Sequence, residues 1–168
     1  MLVEMEYWQE DWIKENTMAN TKIRAEQLPS PWYPTSYFGF FGDWRVVSGG
    51  FTLSSTINTA YPFSTYWRPS TFADGHSIAK DILLDTGTYA FINSYRYATN
   101  RCIMDYALDG DVFLTQDMYA GGGANVEASG TVVVARPKLY TLSMTVNGKN
   151  ASSTAYEWYT TYWSLVKQ

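Results

Sequence analysis

The chain has 168 residues, of which sixteen are acidic and twelve basic, for a formal net charge of −4; charged residues total 17%, against roughly 25% in an average soluble domain. A hydrophobic share of 46% is too high for a disordered chain, and an acidic balance with scattered Lys and Arg argues against a protein that grips phosphate backbones. No apolar run approaches the ~20 residues that span a bilayer, so neither a nucleic-acid nor a membrane partner is expected.

Residues 1–17 carry apolar side chains at Leu2, Met5, Trp8 and Trp12, steps of three and four that fall on one helical face. This segment reads as an arm, a short helix or an extended strand, that anchors on a partner through those four residues. Glu4, Glu6, Glu10 and Asp11 stand where a secretion leader has a basic start and an apolar block, so none is expected. Met18 opens MANTKIRAEQL, which suits a start as well as Met1 does.

Residues 28–45 are rich in Pro, Gly and aromatics. Pro29, Pro31 and Pro34 prevent a helix there, so the stretch reads as a connector. The predicted division is an arm and connector over 1–45 and a β domain over 46–168. From Val46 onward strand follows strand. Tyr89, Phe91, Asn93, Tyr95 and Tyr97 alternate with Ala90, Ile92, Ser94 and Arg96, and Tyr140, Leu142, Met144 and Val146 alternate with Thr141, Ser143 and Thr145. A strand is expected over 101–108 and a long, ring-rich terminal strand over 154–166. Turn signals separate these at 85–87, 109–111, 121–123 and Asn147-Gly148. Turns every 8–12 residues and some eight to ten strands predict an all-β fold, most simply a two-sheet jelly roll.

Few residues here can do chemistry. With one cysteine, Cys102, an internal disulfide is impossible, and with one histidine, His76, a Cys/His zinc site is not expected. Cys102 reads as a small buried hydrophobe and His76 as a surface or capping residue. Asp105, Asp109 and Asp111 form an oxygen-rich set of the kind calcium takes, but Asp-Gly is also a favoured hairpin turn, which is the stronger reading. Asp74, Asp81 and Asp85 invite comparison with paired glycosidase carboxylates; solvated strand-end charges are the better account. Gly121–Gly123 lacks the Lys-Ser/Thr of a phosphate loop and reads as a flexible turn. Asn150-Ala151-Ser152 fits a glycosylation acceptor, but carries little weight without a secretion leader. No catalytic residue, metal or cofactor is therefore assigned, and no enzyme activity is expected.

The aromatic surplus is the informative feature: seven Trp, fourteen Tyr and eight Phe make up 17% of the chain. Exposed rings stack on sugars or build subunit interfaces. The terminal segment carries rings on both faces of an expected strand, and one face must then meet a neighbour or a ligand. The residues assigned to such contact are Trp67, Tyr95, Tyr97, Tyr156, Trp158, Tyr162 and Trp163.

Within 81–168 lie Leu84-Asp85-Thr86-Gly87-Thr88-Tyr89, the stretch Asn100–Gly110 ending in Leu108-Asp109-Gly110, and Val146-Asn147-Gly148-Lys149-Asn150-Ala151-Ser152-Ser153. In these turn-and-strand signatures the segment resembles the jelly-roll domains of bacteriophage virion proteins, found in capsid decoration proteins and in head and tail fibres. Cys102 stands where that family has a glycine. The resemblance implies a non-catalytic structural protein of the virion, assembled in the host cytoplasm as a homotrimer and docked on a major capsid, neck or tail protein. The alternative expectation is a carbohydrate-binding module that recognises a host-surface glycan.

Overall fold

The computed structural model describes residues 36–39, 44–54, 66–69 and 73–168. The expected arm, with Leu2, Met5, Trp8 and Trp12, lies outside the described residues. Eleven strands are formed: β1 (Ser36–Gly39), β2 (Arg45–Ser48), β3 (Phe51–Ser54), β4 (Tyr66–Pro69), β5 (Ser77–Leu84), β6 (Gly87–Arg96), β7 (Cys102–Leu108), β8 (Asp111–Asp117), β9 (Asn125–Val134), β10 (Lys138–Lys149) and β11 (Thr160–Lys167). A four-stranded sheet runs β1-β11-β6-β9 and a five-stranded sheet β2-β5-β10-β7-β8, antiparallel throughout, with β3-β4 as a separate hairpin. The described residues contain no helix. This is the all-β, two-sheet jelly-roll sandwich that the turn spacing predicts.

The alternating strands put their apolar positions between the sheets. Tyr89, Phe91 and Tyr95 of β6 face Tyr140, Leu142, Met144 and Val146 of β10 and Met104, Tyr106 and Leu108 of β7, all buried. One polar bridge crosses this core. The Asn93 amide donates to the Tyr106 hydroxyl at 2.8 Å, and the Thr160 hydroxyl donates to the Asn93 side-chain carbonyl. All three residues are fully buried, so each of these bonds satisfies a group that would otherwise be stranded.

Two features depart from the sequence reading. The sandwich takes in part of the expected connector: β1 pairs with β11, Tyr37 stacks on Trp163 at 6.3 Å, and Trp44 meets the same ring edge-on at 5.6 Å. Asn147-Gly148 is not a turn. The strand β10 continues through it with a register shift between Val146 and Lys149, and Gly148 takes φ +77 in the bulge. At Asp109-Gly110 the expected hairpin turn does form, with φ of 53° and 93°.

Candidate functional site

Three connections gather at one end of the sandwich: residues 97–101 between β6 and β7, 118–124 between β8 and β9, and 150–159 between β10 and β11. The first lies between the other two and is stitched to both by backbone. Tyr97 N–H donates to the Ala124 carbonyl (3.2 Å) and Ala120 N–H to that of Ala98 (3.3 Å), fixing 118–124. On the other side Thr154 N–H donates to Thr99 (3.1 Å), Glu157 N–H to Asn100 (2.9 Å) and Cys102 N–H to Glu157 (3.1 Å).

Arg101 locks this arrangement. Its side chain is buried and ion-paired to Glu157 at 2.7 Å; it also donates to the Asn100 side-chain carbonyl (2.6 Å) and to the Arg96 backbone carbonyl (3.0 Å). The Asn100 amide meets the same Glu157 oxygen at 2.5 Å. The Tyr159 ring lies 4.2 Å from the guanidinium carbon, a stacking that suits the planar cation. Asp117 binds the third loop to the second by accepting from the Asn150 amide (2.8 Å) and the Tyr119 N–H (2.9 Å).

The glycine run 121–123 is not merely a flexible turn. A Cβ on Gly123 would sit 2.8 Å from an Arg96 guanidinium nitrogen, and Gly122 takes φ +103 beneath the Tyr97 ring. The positive φ of Gly122 favours glycine there, and the bare backbone of Gly123 leaves room for the Arg96 side chain. Tyr97, Tyr119, Tyr156 and Tyr159 are thus carried half-buried on rigid loops, Tyr156 with the Lys149 ammonium 5.2 Å from its ring centre. Such rings present apolar faces, and the neighbouring amides and carboxylates supply hydrogen-bonding groups.

The residues assigned to contact separate into distinct places. Tyr97 and Tyr156 belong to this loop end. Tyr162 points outward from the four-stranded sheet, 5.5 Å from the ring of Phe38, with its hydroxyl bonded to Glu127, a bond that raises its pKa. Tyr95, Trp158 and Trp163 are corrections, because all three are core residues. Trp158 and Trp163 are 0% and 1% exposed; burying rings of 150–250 Å² is worth on the order of 4–6 kcal/mol each, which leaves nothing of them for a partner. The expected strand over 154–166 starts only at Thr160, and residues 154–159 form the loop that plugs the sandwich with Trp158. Trp67 lies on β4 opposite Leu53, its side chain outside the described residues.

The other candidates resolve into structural roles. Asp81 pairs with Arg45 (3.0 Å) and Thr141, Asp85 with Lys167 (2.8 Å), and Asp74 accepts from Gly148 N–H (2.6 Å), so each carboxylate has its own structural partners. Asp105 accepts from Thr115 and Asn147, while Asp109 pairs with Lys138. Cys102 is a free, fully buried thiol that burial pushes up to about 12. The ring of His76 packs flat on Gly49, where a Cβ would sit 2.3 Å away.

No family model matches the chain, and no curated protein matches its sequence. Solved structures do. A Paenibacillus xanthan lyase matches with a TM-score of 0.64 and 21% identity over 83% of this chain, which spans only 14% of the lyase. A family 35 carbohydrate binding module from Clostridium thermocellum matches at 0.58 with 19% identity, over 80% of this chain and all of that module. A module of family 36, in complex with calcium and xylotriose, matches at 0.54 with 6% identity, over 77% of this chain and 98% of its own. At such identities the likeness establishes the fold, that of carbohydrate-binding-module sandwiches. Among the described residues no three His, Cys, Asp or Glu side chains form a metal-binding group, and the loop-end carboxylates Asp117 and Glu157 bond to Asn150 and Arg101.

Proposed function

We propose that the chain is a non-catalytic carbohydrate-binding module whose loop end, carrying Tyr97, Tyr119, Tyr156 and Tyr159, holds the sugar. The observation that carries this reading is the set of half-buried tyrosines on loops fastened by the buried Arg101–Glu157 pair. Rings held in place stack on the C–H faces of a pyranose without first losing conformational freedom, and loops already ordered spare binding that cost. The sandwich it shares with carbohydrate-binding modules supports the same reading. Affinity electrophoresis through gels containing xylan, mannan or xanthan tests it. At least one polysaccharide should retard the chain, and Tyr156→Ala should weaken that binding by roughly tenfold, about 1.4 kcal/mol. Unretarded migration in every gel refutes the reading.

The resemblance of residues 81–168 to virion jelly rolls offers a setting for the same module, a phage fibre or capsid protein closed as a homotrimer. The exposed Phe38 beside Tyr162, on the outer face of the four-stranded sheet, favours such an interface. A solution mass three times the chain's 19.1 kDa supports that setting; a monomer mass removes it and leaves sugar binding standing.

A further inference from the structure

The end of the sandwich opposite the tyrosine loops holds a cavity of about 370 Å³ between the β7–β8 turn and the β9–β10 turn. Its apolar walls come from the two edge strands, β8 with Val112 and Phe113 and β9 with Val132 and Val133. Its volume lies within the range of small-molecule sites, about 300–1,000 Å³, so it admits a sugar unit and not a folded partner. The floor is fixed: Phe113 meets Phe91 edge-on at 5.2 Å. Val112 and Val133, by contrast, are 54% and 75% exposed and so are open to a ligand.

Four charged side chains line it, Asp109, Asp111, Arg136 and Lys138. Two of them close on each other. Lys138 pairs with Asp109 at 2.5 Å and lies 4.5 Å from the Tyr140 ring centre, while Asp109 also accepts from the Thr141 N–H at 2.8 Å. The Tyr140 hydroxyl is committed as well, donating to the Arg136 backbone carbonyl at 2.8 Å. What remains is one carboxylate, Asp111, and one guanidinium, Arg136, both exposed and neither side chain in a hydrogen bond or ion pair among the described residues.

We infer that this cavity is a second carbohydrate site, which takes a sugar unit through its hydroxyls and its C–H face. The inference rests on the carbohydrate reading of the loop end. The four charges balance, so the cavity favours neither an anion nor a cation. A free acceptor and a free donor beside an apolar wall match a polyol, whose one hydroxyl donates to Asp111 and whose other accepts from Arg136 while its C–H face lies against Val112 and Val133. With a site at each end, one chain bridges two strands of a polysaccharide or two stretches of the same strand, and its binding to polymer exceeds that to short oligomers.

Site-resolved NMR on the isotope-labelled full chain tests this, with xylotriose, mannopentaose and β-1,3-galactotriose as neutral probes and glucuronic acid and glucosamine as charged controls. A neutral probe should shift the signals of Val112, Val132, Val133 and Ala135 saturably, and Asp111→Asn and Arg136→Ala should each weaken that response roughly tenfold, the loss of one charge-assisted hydrogen bond. Both variants lie on the surface and leave the loop end intact. Shifts at Tyr156 and Tyr159 with a silent cavity overturn the second site and leave the loop reading standing. Shifts in the cavity alone keep this site and overturn the loop reading, and silence at both ends with all neutral probes overturns both. Saturable shifts with glucuronic acid or glucosamine and none with the neutral probes show that the cavity reads charge alone, and overturn the inference.

Discussion

Arg101→Met separates charge from packing at the loop end, because methionine keeps an apolar stem against Tyr159 and removes the guanidinium. The arginine side chain is 5% exposed and its partner Glu157 20% exposed. Breaking a buried ion pair by removing one partner costs about 3–5 kcal/mol. Glu157 retains the Asn100 amide at 2.5 Å and some water, which puts the expected loss near the bottom of that range, about 3 kcal/mol. Chemical denaturation with urea, followed by tryptophan fluorescence, reads this directly, since the buried Trp158 is the residue after Glu157. With a slope of about 2 kcal/mol per M, the midpoint falls by roughly 1.5 M. Glu157→Gln keeps an acceptor for Arg101 and should cost less, about 1–2 kcal/mol. In the double variant the losses should fall short of additivity, because the second change removes the group that the first left stranded. A midpoint shift under about 0.5 M for Arg101→Met, or strict additivity, refutes the idea that this pair fastens the three loops.

Tyr106→Phe keeps the ring contact with Phe91 (5.2 Å) but strands the Asn93 amide that donates to its hydroxyl, so a loss of about 1–3 kcal/mol is expected in the same urea experiment; a loss under about 0.5 kcal/mol contradicts the bridge. Cys102, buried and with its thiol pushed up to about 12, should resist a thiol reagent at pH 8 until the chain unfolds, with a labelling rate that follows the urea transition; prompt labelling of the native chain is the contrary result. The Lys167–Asp85 pair ties β11 to the turn before β6. The Lys167 hydrogen bond holds Asp85 below the usual carboxylate range, and the same bond raises Lys167. Asp85 therefore contributes above about pH 4 and loses its contribution as pH falls through its lowered pKa, while Lys167 contributes below about pH 10 and loses it as pH rises through its raised pKa. Lys167→Met should lower Tm by a constant amount across neutral pH, and the gap should close at the acid end; a gap that widens in acid contradicts the pair.

The strands that bury one face and wet the other were legible at the level of single residues. Tyr140, Leu142, Met144 and Val146 all point into the core, as do Tyr89, Phe91, Asn93 and Tyr95, because a period of two maps directly onto the two sides of a sheet. The same logic fails at residues 154–159. Aromatic residues favour strands because they suit a half-buried pleated surface, not because their backbone demands extension. Trp158 obtains its burial by plugging the end of the sandwich from a loop, so its β propensity says nothing about its backbone. Asn147-Gly148 misleads for a related reason: a residue pair that tolerates positive φ serves a bulge as well as a turn.

The site was less legible than the fold because it is assembled from three loops. Arg101 and Glu157 are 56 residues apart, and nothing in either local sequence announces the pair. One local signal did exist. Arg101 stands beside Cys102 at the head of an apolar strand, and a long cation in such company is either exposed by an irregularity or buried with a partner. Ring identity could not separate the seven residues assigned to contact, since Tyr95 and Tyr97 have the same parity and composition. They differ in where β6 ends: Tyr95 lies within the strand and under the other sheet, whereas Tyr97 falls one residue past Arg96, where the chain turns over the glycine run. A ring becomes available to a ligand here by lying just beyond the last paired residue. That places the tyrosines proposed to bind sugar on loop backbone, so their precision depends on the Arg101–Glu157 pair and on Gly122, whose φ of +103 a side chain would strain.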